Sequence, residues 1–327
     1  MKSAIAAIVL LLGASAAHAN VALFLEEPHG AFGDVNPTGH AAIYLSNVCA
    51  DSLTSLRPCQ PGEPGVVISR YHRIGGFDWI AIPLVPYLYS VDSLRQVPQD
   101  VAFPDVARLR DDYRRKYLEE IVPDLPDGSA PKGDWTQLIG ASYDRTIYSF
   151  ELKTTAEQDN QFVRAFNSRR NKTDFHLLFH NCADFARQAM NFYYPGAVRR
   201  SWIGDAGIMT PKQAAKSLLQ YAKKHPQDGL LTVVIPQVPG TVPRSTPVRG
   251  VLESVLRSKK YMVPLAPLAV LHPLFGGTLA LAWMEDGRFD PRRLAAAEDP
   301  PTQPAVIAQQ LESNPVVRPR TTLQAPR

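Results

Sequence analysis

The residues best able to do chemistry lie in LLFHNCADFARQAMNFYYPG, residues 177–196. Asn181 is a strong helix N-cap type and Asp184 follows three residues later, so the spacing predicts a helix that starts at Cys182 and ends near Tyr194-Pro195-Gly196. A thiol with an ordinary pKa near 8.5 is only about 3% ionised at neutral pH, and the nucleophile is the thiolate. The positive end of a helix dipole with a nearby imidazolium lowers that pKa. Cys182, Phe185, Ala186, Ala189 and Tyr193 share one helical face, which turns the thiol inward toward a sheet. A buried structural cysteine accounts for the helix pattern equally well, because free cysteine is among the most buried residue types.

A thiol nucleophile needs a base, and His40 supplies one from far upstream. It opens the stretch HAAIYL (40–45) after a Pro-Thr-Gly turn, which puts its imidazole at the end of a strand, where clefts form. A Cys at a helix start facing a His on a strand can deprotonate the thiol and later protonate a leaving group. His180, with His176, is the rival base, being close to Cys182 in sequence. The carboxylate pairs Glu26-Glu27 and Glu119-Glu120 are adjacent rather than convergent, and solvated faces explain them. No metal-ligand spacing stands out, and no cofactor is expected.

Elements to position these groups can be read from the pattern. VALFLEE (21–27), HAAIYL (40–45), VVISRYHRI (66–74), FDWIAIPLV (77–85) and RTIYSFELK (145–153) read as strands of a mainly antiparallel sheet. FHLLFH (175–180) alternates and reads as a short strand leading into Asn181-Cys182. Val106, Leu109, Tyr113, Tyr117 and Ile121 recur at helical spacing within 104–122. Thr154 with Glu157 has capping-box spacing for a second helix, and Thr210-Pro211 is an N-cap and N1 pair for a third, which His225-Pro226 would end.

The chain has 327 residues and a formal charge of +4, with 35 Lys plus Arg against 31 Asp plus Glu. That field is too weak and too mixed for a nucleic-acid surface. Residues 1–19 have the layout of a secretory signal peptide: Lys2, an apolar run, then small residues ending Ala17-His18-Ala19. In an oxidising compartment thiols pair, and Cys49 and Cys59, ten residues apart in a polar Pro- and Gly-containing stretch, are expected to form a disulfide. Cys182 is then left over. Residues 20–235 form the main domain. Four prolines between 236 and 247 suggest a linker, with a short helix, over 236–260. The segment 261–284 has no acidic or basic side chain apart from His272, and either meets a membrane or packs as an arm on the domain. The Pro-rich stretch 285–327 is expected to be a disordered tail.

GHAAIYL followed much later by HNCADF resembles the circularly permuted papain-like thiol enzymes, the permuted relatives of NlpC-type peptidoglycan hydrolases that include the lecithin retinol acyltransferase group. Those proteins show an H-x-G-I-Y-L-G strand first and an N-C-x-x-F helix start last. The resemblance spans residues 21–230 and is concentrated in these two motifs. It implies an α+β fold, an antiparallel sheet packed on helices, with Cys182 as nucleophile, His40 as general base and the Cys182 backbone N–H as oxyanion donor. Asn181 matches the Asn before the nucleophile, as a cap or as a polar group of the site. Two positions depart from the pattern. Ala42 replaces a glycine, and the third polar residue, often His, falls at Ser69, with His72 three positions on and usable only with a bulge or a different register. The function so implied is an exported thiol hydrolase or acyltransferase of the periplasm or cell envelope, acting on a peptide, a peptidoglycan fragment or a lipid acyl group. The alternative is a non-catalytic envelope scaffold on the same fold. The oligomeric state is not legible.

Overall fold

All six positions from Val21 to Glu26 are buried, and the reason is that the sheet they belong to is covered on both faces. Val21, Leu23 and Leu25 point into one apolar cluster, and Ala22 and Phe24 into the other. This follows from the two-residue period of a strand. The computed structural model describes residues 19–30, 37–72, 74–172, 175–286 and 289–292. Residues 1–18 of the expected signal peptide and 293–327 of the expected tail lie outside these.

The described chain is a mixed α+β structure whose antiparallel sheet packs on helices. Its strands are β1 (Ala19–Glu26), β2 (His40–Leu45), β5 (Val66–Ser69), β6 (Ile80–Pro83), β7 (Ile147–Thr154) and β8 (Leu231–Ile235), in the spatial order β6-β5-β2-β1-β7-β8. A separate hairpin, β3 (Val48–Ser52) and β4 (Ser55–Pro58), carries the expected disulfide between Cys49 and Cys59. The helices, in chain order, are α1 (Leu84–Tyr89), α2 (Phe103–Tyr117), the single turn α3 (Ala141–Asp144), α4 (Ala156–Asn167), α5 (Cys182–Tyr193), α6 (Pro211–Lys224), α7 (Val251–Arg257), α8 (Lys259–Leu271) and α9 (Pro273–Asp286). Helices α4, α5 and α6 cover one face of the sheet through Phe162, Phe185, Ala189 and Leu218. Helix α1 and part of α2 cover the other through Tyr87, Leu88 and Val106.

Several expectations are corrected. The strand expected over 66–74 stops at Ser69, because buried Arg70 turns in to form a two-pronged ion pair with Asp78, at 2.6 and 2.7 Å. The strand expected over 77–85 is short, and Leu84 already opens α1. Helix α2 ends at Tyr117 rather than at 122. There the chain folds back so that the Val122 carbonyl accepts from buried Arg114 at 2.8 Å. The capping box of α4 lies one residue later than expected, with Thr155 and Gln158 bonding each other's backbone N–H. FHLLFH is no strand but a tight turn closed by backbone bonds between His176 and His180, with Leu177, Leu178 and Phe179 exposed.

The Pro-rich stretch after 235 is extended but packed on the domain. Gln237, Val238, Ser245 and Val248 are buried. The first residues of the expected tail are packed too. Arg292 grips Glu27 at 2.7 and 2.9 Å. Glu26 and Glu27, expected on a solvated face, are both fully enclosed, whereas Glu119 and Glu120 are exposed.

Candidate active site

Entry into β2 depends on Gly39. Its φ is 72°, and a Cβ there would come within 2.1 Å of the Glu26 carbonyl oxygen, so only glycine lets the chain cross this close to β1. His40 then pairs with Glu26 in register, at the end of β2. Its imidazole is 8% exposed and stacks on Tyr71, with ring centroids 5.0 Å apart.

The hydrogen bonds of Ser69 determine the tautomer of that ring. The Ser69 hydroxyl donates to the Ala41 carbonyl at 2.8 Å, and Ser69 Oγ lies 2.9 Å from His40 Nε2. A hydroxyl has one proton to give, so His40 Nε2–H must be the donor and Ser69 Oγ the acceptor. Nδ1 then holds the lone pair that takes up a proton. Ser69 therefore holds the His40 ring by its Nε2. His72 does not. Its half-exposed ring lies on the cavity rim, edge-on to Phe175 at 5.2 Å and 3.9 Å from Asp134 Oδ2.

Cys182 arrives on the other side as the first residue of α5. Asn181 caps the helix: its Oδ1 accepts from the N–H groups of Ala183 at 2.9 Å and Asp184 at 3.0 Å. Its amide donates to the carbonyls of Leu177 and Met209, at 2.9 and 3.0 Å. Both amide hydrogens are thus engaged, which leaves Asn181 a cap and a tether and gives it no proton for a substrate oxygen. The cap does not take up the Cys182 N–H, a helix-start donor beside the thiol. Phe185, Ala186, Ala189 and Tyr193 are buried as expected of the inward face.

The two side chains meet one space. His40 and Cys182 both line a cavity of about 640 Å³, together with Tyr71, Arg145, Leu177 and Met209. The Ala41 N–H, one residue from His40, lies against the Cys182 sulfur. Neither His176 nor His180 lines this cavity, so His180 is not brought to the site as a base.

Electrostatically the pair differs from the primed thiolate anticipated for a helix start. Burial pushes the Cys182 thiol up to about 11, against the downward pull of the N–H groups of Ala41, Ala183 and Cys182 itself. Burial pushes the His40 imidazole down to about 3, helped by the positive charge of Arg145 and by His29. Desolvation outweighs the helix start at Cys182 and dominates at His40, so at rest the cavity is lined by a neutral thiol and a neutral imidazole.

Behind His40 lies a network that the sequence pattern did not disclose. Arg145, 3% exposed, contacts Glu26 Oε2 at 3.0 Å and donates to His29 Nε2 at 2.8 Å. The Tyr87 hydroxyl donates to Glu26 Oε1. Its members come from β1, the loop after it, α1 and the residue that ends α3, so no local spacing could have found them. Arg145, the first residue of RTIYSFELK, and the Glu26-Glu27 pair were its traces in the sequence. Cys49, Cys59 and Glu63 lie together, but both sulfurs are committed to the disulfide and are not thiolate ligands. Comparison of the chain with protein-family models, with curated proteins and with solved structures finds no match.

Proposed function

We propose that the domain is a thiol hydrolase or acyl-transfer enzyme of permuted papain-like organisation. Cys182 Sγ attacks an amide, ester or thioester carbonyl, and His40 Nδ1 takes the thiol proton as the new S–C bond forms. The tetrahedral oxyanion is received by the Cys182 N–H at the start of α5. The same imidazole then protonates the leaving amine or alcohol. Water or another acceptor resolves the acyl-enzyme, restoring thiol and neutral imidazole. Because the resting pair is uncharged, proton transfer accompanies attack instead of preceding it. The order of the parts supports the reading, with the His strand before the Cys helix on an antiparallel sheet.

The observation that carries the proposal is that His40 and Cys182 line one cavity, with Ser69 holding the imidazole through Nε2 and Ala41 lying between Ser69, whose hydroxyl its carbonyl accepts, and the Cys182 sulfur, which its N–H faces. Export to an oxidising envelope compartment is part of the proposal, supported by the Cys49–Cys59 disulfide. The test is incubation with activated acyl esters and acyl peptides, followed by mass analysis of the Cys182 peptide. The expected result is an acyl adduct on Cys182 that His40→Ala slows by about 10²-fold or more. Equal labelling or turnover in Cys182→Ala would sink it.

A second reading, a non-catalytic scaffold that binds a peptide or lipid in the same cavity, is favoured by one observation. The thiol is pushed up and the imidazole down, which is also the condition of an inert buried pair. Ligand binding without any adduct would decide for it.

A further inference from the structure

Helices α8 and α9 form a hairpin that is apolar between its charged ends and exposed at most of its described positions. From 261 to 284 the sequence has no acidic or basic side chain apart from His272. Val263, Leu268, Val270, Leu271, Leu274, Phe275, Leu281, Trp283 and Met284 are between 38% and 90% exposed. The two helices touch near their connection, where a Cβ on Gly276 would fall 2.4 Å from the Ala269 carbonyl oxygen. A helix that docks in a protein groove carries one apolar stripe and a polar back. A helix apolar on every side requires an apolar surrounding, and here the rest of the domain does not supply it.

Length decides how such a hairpin meets a bilayer. Helices of 13 and 14 residues are about 20 Å long, against a hydrocarbon core of about 30 Å. Among the described residues no helix is long and apolar enough to cross a membrane. A hairpin of this size enters one leaflet and returns, with both ends on the same side. Arg257, just before α8, sits at the root of the hairpin, where anionic headgroups would be.

The root of the hairpin is fixed beside the cavity. In α7, Glu253 forms a buried ion pair with Lys212 of α6 at 2.6 Å. Arg257 bonds Glu253 at 2.8 Å and lies over the Trp283 ring at 5.1 Å. The Val251 N–H donates to Asp205 at 2.6 Å, and Val251 itself lines the cavity. Part of the remaining rim is apolar and exposed too, Leu177 and Leu178, while His72 and Asp134 lie elsewhere on it. Leu177 and Leu178 belong to an exposed turn with Phe179, and Trp202 and Ile203 are exposed in the loop that leads to Met209, which lines the cavity; Asn181 bonds the carbonyls of both Leu177 and Met209.

We propose that the α8–α9 hairpin and the rim of the cavity form one membrane-docking surface, seated in a single leaflet of a phospholipid bilayer. The cavity then opens at the interface, and the carbonyl it receives belongs to an amphiphile held in that bilayer. This last clause rests on the thiol reading of the site. The docking does not.

The test is flotation of the full chain with vesicles of phosphatidylethanolamine and phosphatidylglycerol, 3:1, and with brominated lipids to quench tryptophan. The variants are Val270→Glu with Leu274→Glu in the hairpin, and Leu178→Glu with Trp202→Glu at the rim, all at exposed positions, with circular dichroism as a check on folding. Wild type should float and be quenched. The hairpin variant should lose at least 10-fold in bound fraction, and the rim variant should bind more weakly than wild type. Failure of wild type to float, or self-association that the hairpin variant abolishes, overturns the proposal, the latter in favour of a second copy of this chain. For the amphiphile clause, Cys182 should be acylated faster by a long-chain ester in vesicles than by a short soluble ester of equal reactivity. Equal rates with intact flotation overturn that clause alone, and no acylation by either ester overturns the thiol reading while docking stands.

Discussion

Alkylation of Cys182 as a function of pH probes the balance between burial and the helix start. With the thiol pushed up to about 11, its ionised fraction at pH 7 is on the order of 10⁻⁴, compared with about 3% for an unperturbed thiol near 8.5. Iodoacetamide, which reacts with the thiolate, should therefore modify Cys182 on the order of 300-fold more slowly than free cysteine at pH 7. The rate should climb about tenfold per pH unit, reaching roughly 10³ times its pH 7 value by pH 10. The assay is timed quenching followed by mass analysis of the peptide bearing Cys182, with the Cys49–Cys59 disulfide left intact. His40→Asn sharpens it. If the imidazole is neutral at rest, removing it moves the midpoint by less than about one unit, whereas an imidazolium partner would have been holding the thiol down by ~2 units or more. A midpoint below pH 8, or a wild-type rate at pH 7 equal to that of free cysteine, would refute the argument that desolvation prevails at this site.

Ser69→Ala removes the acceptor of His40 Nε2–H, and acyl transfer to Cys182 should slow by about 10- to 100-fold with the fold retained; an unchanged rate would remove Ser69 from the mechanism. Acid should destabilise the domain through His40. Its folded pKa, about 3, lies below the ordinary 6.5, so as pH falls through 6.5 the unfolded chain binds a proton that the folded one refuses. At pH 4.5 the two-unit gap amounts to about 2.7 kcal/mol, and denaturant titrations of His40→Gln should lose that much less stability than wild type between pH 7 and 4.5. Parallel losses would contradict it. Lys212→Met leaves buried Glu253 with Arg257 as its remaining cation and should cost about 1–3 kcal/mol, while adding Glu253→Leu should restore part of the loss. Replacing Cys49 and Cys59 by alanine opens a closed loop with a sequence separation of 10 and should cost about 2–3 kcal/mol in urea unfolding.

What the sequence determined by itself is local. Asn181 and Asp184 mark the start of α5 because a helix N-terminus has orphan N–H groups that particular side chains satisfy within three residues. Gly39 and His40 mark the entry to β2, and ten residues of polar, turn-rich chain bring Cys49 to Cys59. The cap at Thr210 is of the same kind. These signals need no knowledge of the rest of the fold.

Tertiary structure decided whatever depends on what covers a segment. The alternation in FHLLFH satisfied the strand period, yet its carbonyls and N–H groups close a turn, and among the described residues no strand pairs with it. Glu26 and Glu27 looked solvated until Arg145 and Arg292, far away in the chain, were folded over them. The choice of Ser69 over His72 rested on where β5 leaves the sheet, which Arg70 and Asp78 set. The charge state of Cys182 and His40 was decided in the same way. A helix start favours the thiolate and is visible in the sequence, but desolvation comes from every atom packed around the sulfur, and only the assembled fold supplies those atoms.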